Sequence, residues 1–227
     1  MTVIFDYVDF NGADQYFDDP GADYWNEIEA VIDSVPPQLQ PSDQRERLGS
    51  PIFDPKATNA RLTDQAALYG WDKVLVPAEL RPFGRDWDGG RGPVLAEWQF
   101  SNYPFLWNNI IRTEAIHQSR AVLPGLGQPV EALIVVTKSG RFPASNSTLY
   151  FEQARAQIDT VTTLGVFQIP IRLVGLTIDP NATTLEADWN HYPERYGRVI
   201  ATTDRVTMNV RWNRRASMYG NYTAILN

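Results

Sequence analysis

RDWDGGRGPVLAEWQFSN, residues 85–102, decides how this chain reads. It holds a carboxylate, Asp88, then a turn-rich GGRGP insert, then a short apolar run carrying a second carboxylate, Glu97, and an amide, Gln99. Val94–Phe100 has the period-two alternation of a strand: Val94, Ala96 and Trp98 fall on one face, Leu95, Glu97 and Gln99 on the other. A turn before that strand can fold Asp88 back beside Glu97, and two converging oxygen ligands suit a hard divalent ion such as Mg²⁺. This is the outline of a metal-dependent nuclease centre. The plainer reading, a turn-forming aspartate and an exposed strand glutamate, uses the same spacing, and spacing alone leaves both open.

From Val94 onward the pattern is strand, helix, strand, helix, strand. The first helix begins near Pro104, since a first-turn proline suits a helix N-terminus, and runs to about Ser119. Glu131–Lys138, with its ALIVV run, reads as a buried strand, and Ile169–Leu176 as the third strand. Between them a helix follows the polar cluster Ala144, Ser145, Asn146 and Ser147, which offers capping groups; Leu149, Ile158, Val161 and Leu164 mark its buried side. This alternation predicts an α/β protein with a mixed central sheet flanked by helices. Beyond Thr177 alternating stretches, notably Val206–Trp212, fit an added C-terminal β-subdomain. The expected organisation is a core of residues 1–176 with an N-terminal helical portion, and a β-rich extension of the same domain over 177–227.

Upstream, residues 1–22 are acidic and turn-rich. Tyr24, Trp25, Ile28, Val31 and Ile32 recur at spacings of three and four, the apolar face of a helix ending near Val35. Pro36–Pro51 reads as a long polar loop with at most a short turn, and Ala57–Tyr69 as a second helix.

Composition narrows the function classes. A chain of 227 residues, 43% hydrophobic, can bury a sizeable core as one domain. Without cysteine, disulfides and thiolate-bound zinc are excluded, and His117 and His191 are too few and too far apart for a metal site. His117, on the helix expected from Pro104 to about Ser119, is given no catalytic role. No basic leader and no apolar run of the ~18 residues a membrane span needs is present, so a soluble cytoplasmic protein with no membrane partner is expected. The net charge of −7 is uneven: residues 1–90 carry 17 acidic against 7 basic side chains, residues 91–227 carry 10 against 13. A local basic cleft can still bind phosphate, although the overall sign favours weak, salt-sensitive nonspecific association with nucleic acid. The acidic, aromatic-rich composition also suits a carbohydrate-binding module, but the alternating strand and helix pattern speaks against one.

The blocks FSNYPFLWNN (100–109), FPASNSTLYFEQARAQI (142–158) and IPIRLVGL (169–176), with YWNEIE (24–29) and IFDP (52–55), resemble the BglII-like family of type II restriction endonucleases, members of the PD-(D/E)XK nuclease superfamily. The resemblance runs in the same order over about residues 20 to 200, and such runs are more specific than a single motif. It implies a restriction-endonuclease-like core, a homodimer, and Mg²⁺-dependent hydrolysis of both strands of double-stranded DNA at a short palindrome. The leading site is AGATCT-like with a GATC centre, with 5′-phosphate ends, and a cognate DNA methyltransferase is the expected partner in the same system. The alternative is a sequence-specific DNA-binding protein derived from such an enzyme but inactive.

The resemblance assigns Asp88, Glu97 and Gln99 to catalysis, and the metal to Asp88, Glu97 and the main-chain carbonyl of Trp98. Gln99 stands where many nucleases of this fold carry lysine; the family also has glutamine there. A neutral amide cannot act as a general base, but its carbonyl oxygen can orient the attacking water. Ser101, Asn102, Asn146 and Ser147 are candidate base-edge readers, with helix capping and turn formation as the alternative. Arg112 is a candidate phosphate contact or dimer brace, or an ordinary surface arginine. Arg195, Tyr196 and Arg198 form an RY-x-R pattern that in the family lies in a loop approaching DNA and that in isolation reads as a solvated loop. Lys73 falls roughly where the family has an asparagine near the metal site. The tryptophans read as packing residues, with Trp25, Trp98 and Trp107 at positions expected to be buried.

Overall fold

A computed structural model describes residues 4–145, 149–194, 199–213 and 222–227. In chain order the elements are β1 (Ile4–Phe10), α1 (Ala13–Asp18), α2 (Ala22–Ser34), β2 (Gln38–Pro41), β3 (Pro51–Phe53), α3 (Pro55–Ala67), β4 (Asp72–Leu75), β5 (Asp86–Arg91), β6 (Val94–Trp98), α4 (Tyr103–Ser119), β7 (Ala132–Lys138), α5 (Phe151–Thr163), β8 (Ile171–Thr177), β9 (Thr184–His191), β10 (Thr202–Asn213) and β11 (Thr223–Leu226). Short 3-10 turns cover Arg45–Arg47 and Ala78–Phe83.

Six strands form the central sheet in the order β1-β8-β7-β6-β5-β4. β6, β7 and β8 are parallel, joined by α4 and α5 as crossovers, while β1, β5 and β4 run antiparallel to their neighbours. Every residue of β7 and β8 is buried, as a parallel strand covered on both faces requires. The alternation in β6 divides two cores. Val94, Ala96 and Trp98 pack with Trp25, Ile28 and Val31 of α2, whereas Leu95 packs with Leu106 and Ile110 of α4. The mixed sheet between helices is the expected fold class.

Several local expectations change. The N-terminal segment contains β1, paired along its whole length with β8, and Asp9 grips the buried Arg172 in a bidentate ion pair (Nε–Oδ1 2.7 Å, Nη2–Oδ2 2.8 Å) beneath the rings of Tyr7, Phe17 and Trp25. The segment 36–51 supplies β2, and β3 follows at its end; β2 pairs in parallel with β9. Strands this short carry no readable period, and the partner that β2 finds in β9 lies about 150 residues away. The second sheet, β11-β10-β9-β2-β3, thus draws strands from both ends of the chain.

Helix α5 begins after Tyr150, which holds the cap position without a side-chain cap bond, so the Ala144–Ser147 cluster lies upstream of it. Its buried stripe is Phe151, Ala154 and Ile158. Val161 is only half-buried, and Leu164, just past the last turn, is 72% exposed. Of the tryptophans expected to be buried, Trp25 and Trp98 are; Trp107 is half-buried and stacks on Phe167 at 6.2 Å.

Candidate active site

The GGRGP insert is mostly strand. Gly89 and Gly90 lie in β5, which pairs with β6 from Arg91–Val94 to Gly89–Ala96, and the turn is confined to Gly92 and Pro93. Gly90 has to be glycine because a Cβ there would collide with Val74 and press on Leu126 and Leu95. This tight hairpin folds Asp88 back against β6, where Asp88 Oδ2 accepts a hydrogen bond from the Trp98 N–H at 2.9 Å.

Asp88 is half-buried and Glu97 is buried, and the two carboxyl groups are close enough for each to shift the other's pKa. Burial raises the Asp88 pKa, opposed by the Trp98 N–H and the Lys73 charge. Burial lifts Glu97 well above the ordinary carboxylate range; Arg112 opposes the rise and the Asp88 charge adds to it. Two neighbouring carboxylates disfavour each other's ionised form, and a bound cation would relieve that repulsion.

Gln99, also buried, is oriented from both sides. Its carbonyl oxygen accepts from Asn109 Nδ2 of α4 at 3.1 Å, and its amide donates to Ser101 Oγ at 3.0 Å. One lone pair of the carbonyl is left for water. Ser101 and Asn102 are exposed at the start of α4. Asn102 occupies the cap position, yet its side chain makes no cap bond, so the capping alternative does not apply to it.

Arg112 is not a surface arginine. It is 3% exposed, donates through Nη2 to Glu97 Oε1 and to the Asp86 carbonyl (2.8 Å), and lies 4.8 Å from the Trp87 ring. The core-facing side of α4 points it at the strand that carries Glu97. Lys73 is exposed and pairs loosely with Asp86 at 3.8 Å. His117 holds the Val130 carbonyl through Nδ1 at 2.9 Å. Asn146, Ser147, Arg195, Tyr196 and Arg198 lie outside the described residues.

Two side chains at this site escaped sequence reasoning. Asn59 of α3 donates to the Trp98 carbonyl at 3.2 Å, and Asn109 orients Gln99. Asn109 follows Trp107 by two residues in the quoted block, but nothing in a lone asparagine marks it. Among the described residues no group of three or more His, Cys, Asp or Glu side chains could hold a metal, so any further protein oxygen beside Asp88 and Glu97 would come from an amide, a hydroxyl or the main chain. Two carboxylates and a carbonyl are an all-oxygen set of the kind hard divalent ions prefer.

A mixed sheet with two crossover helices and a carboxylate-bearing hairpin at the end of its central strands is the fold of a restriction endonuclease. The chain belongs to the restriction endonuclease BglII/BglIII family, whose model matches residues 5–176. It is 38% identical over 202 residues to the type II restriction enzyme BglII of Bacillus subtilis, covering 88% of each chain. Two solved structures are similar: BglII complexed with a DNA 16-mer (TM-score 0.88, 34% identity) and free BglII (TM-score 0.70, 30% identity), each with 99% of this chain and all of the other covered. The chain is therefore a BglII-like type II restriction endonuclease.

Proposed function

We propose that this chain is a Mg²⁺-dependent endonuclease that acts as a homodimer on double-stranded DNA, hydrolysing both strands of a short palindrome, AGATCT-like with a GATC centre, to leave 5′-phosphate ends. The observation that carries the reading is the return of Asp88 of β5 onto the end of β6, where it accepts from the Trp98 N–H beside Glu97 and Gln99. Support for DNA as substrate comes from the similarity to the BglII complex with a DNA 16-mer.

Asp88, Glu97 and the Trp98 carbonyl would hold the ion. When bound, Mg²⁺ supplies charge neutralisation at phosphorus and lowers the pKa of coordinated water. Asp88 and Glu97 would hold the ion in their ionised forms. Gln99, fixed by Asn109 and Ser101, presents its remaining carbonyl lone pair to orient the attacking water, and Arg112, hydrogen-bonded to Glu97, opposes the rise in its pKa. Ser101 and Asn102, exposed beside the catalytic strand, suit base-edge contact in the major groove. Asn146, Ser147, Arg195, Tyr196 and Arg198 complete the proposed DNA surface on the strength of the family resemblance.

A homodimer fits a palindrome because two-fold protein symmetry matches two-fold site symmetry. Helix α4 is the proposed interface, and it leaves Phe105 and Ile111 exposed. Among the described residues no helix is long and apolar enough to cross a membrane; a cytoplasmic enzyme with a cognate methyltransferase is the setting proposed. The test is Asp88→Asn and Glu97→Gln in Mg²⁺. Both should abolish cleavage and keep specific binding, because these side chains ligate metal and do not read bases. Near-normal cleavage by either variant would sink the assignment, and specific binding without cleavage by the unaltered protein would favour an inactive DNA-binding descendant. Sequencing the ends of a digested plasmid library identifies the site.

A further inference from the structure

We propose that Asn59 is a positioning residue of the active site, whose side-chain amide fixes the Trp98 carbonyl in its direction beside the Asp88 and Glu97 carboxyls. The inference rests on the reading of that carbonyl as a metal ligand.

The argument starts from the backbone. The β5–β6 ladder ends at Gly89–Ala96, so the Trp98 peptide groups have no strand partner on that side. Two side chains replace it: Asp88 Oδ2 accepts from the Trp98 N–H at 2.9 Å, and Asn59 Nδ2 donates to the Trp98 carbonyl at 3.2 Å. On the opposite edge the Gln99 N–H donates to the Val136 carbonyl at 2.8 Å. In a planar trans peptide the carbonyl of one residue points away from the N–H of the next, so the Trp98 carbonyl faces the Asp88 side. A carbonyl oxygen has two lone pairs. The Asn59 amide takes one and leaves the other for a ligand.

Asn59 can do this because α3 is anchored at its start. Asp54, wholly buried, caps the helix through Oδ1 (Lys56 N 3.1 Å, Ala57 N 3.0 Å), and its Oδ2 accepts from Tyr192 Oη at 2.7 Å and Asn190 Nδ2 at 3.2 Å. Asn59 lies little more than one turn from that anchor. At a half-exposed helix position asparagine is a poorer helix former than leucine, glutamine or alanine, so its amide is not there for the helix.

The test uses Asn59→Leu, which keeps the shape and removes the donor, and Asn59→Ala, each against Asp88→Asn in the full-length protein. Calorimetric titration with Mg²⁺, melting of the metal-free protein, and cleavage as a function of Mg²⁺ concentration are measured. Expected for both Asn59 variants is an unchanged metal-free Tm, Mg²⁺ affinity lower by about 10- to 100-fold, and cleavage that recovers as Mg²⁺ is raised. Wild-type Mg²⁺ affinity in both, with affinity lost in Asp88→Asn, overturns the role of Asn59 and leaves the carboxylate site standing. Wild-type affinity in Asp88→Asn as well overturns the metal reading, and the inference with it. Affinity lost only in step with a large fall in metal-free Tm in both variants means that Asn59 merely secures α3, which also overturns it.

Discussion

Arg112 lies 15 residues beyond Glu97 in the chain and against it in space. Both side chains are nearly inaccessible, so removing the cation strands a buried carboxyl, at a cost of about 3–5 kcal/mol. Arg112→Met should lose that much in urea unfolding of the metal-free protein, and its Mg²⁺ uptake should shift to higher pH because Glu97 holds its proton more tightly. Gly84, at φ +143°, makes room for the guanidinium, since a Cβ there would collide with Arg112 Nη1. The carboxyl pair has its own pH signature. Both pKa values are raised by burial, so their contribution to metal-free stability is complete below the unfolded carboxylate range and is lost as pH rises through the folded values. Calorimetric melting should show Mg²⁺ stabilising the protein more as pH is raised, and Asp88→Asn showing no such gain; a gain independent of pH in the unaltered protein would contradict this. For Asn102, whose amide does not cap α4, Asn102→Ala should leave Tm unchanged and cost about 1–3 kcal/mol of cognate over altered-site discrimination per contact. An unchanged ratio of cognate to altered-site cleavage would remove it from the base-reading set.

At the scale of elements, α3 shows how one capping residue serves two layers. A lost helix cap costs roughly 1 kcal/mol. Asp54→Ala should cost more, because it also leaves Tyr192 Oη and Asn190 Nδ2 short of an acceptor, at about 1–3 kcal/mol for each group left unsatisfied. Denaturant melts of Asp54→Ala beside Asp54→Asn, which can keep the capping oxygen, measure the difference; a loss in Asp54→Ala no larger than that of a cap, with none in Asp54→Asn, would confine Asp54 to capping. The long elements were legible: α2, α3, α4, β6, β7 and β8 lie where apolar periodicity and a first-turn proline put them, give or take a few residues. The short ones were not. β2 and β3 are strands only because β9 pairs with β2, and α5 starts later than its polar prelude suggests because Tyr150, not the serine and asparagine cluster, stands at its cap.

On the scale of the whole molecule, the acidic first half and mildly basic second half share both sheets, so charge along the chain does not map onto separate bodies. A dimer through α4 should appear in sedimentation of the free protein and of its complex with a cognate duplex. A monomer in both would remove the symmetry argument for palindromic cleavage. Nonspecific association, carried by phosphate contacts against a net charge of −7, should weaken steeply with salt, whereas cognate discrimination depends on base contacts and should persist.

By itself the sequence determined the class of fold and the strand that carries Glu97 and Gln99. Period-two alternation over Val94–Trp98 puts Val94, Ala96 and Trp98 in one core and Leu95 in the other, and the runs shared with the BglII-like family name the same strand. It also held the possibility that Asp88 returns to Glu97, because the glycines and proline between them permit a tight hairpin. What only the tertiary structure decided is the surroundings of that pair. Arg112 enters the site from a helix that closes over the sheet, Asn109 orients Gln99 from the same helix, and Asn59 reaches Trp98 from α3, 39 residues away in the chain. Single polar side chains on amphipathic helices have no period that singles them out. Their partners are set by how the helices pack on the sheet, and that is a property of the folded chain.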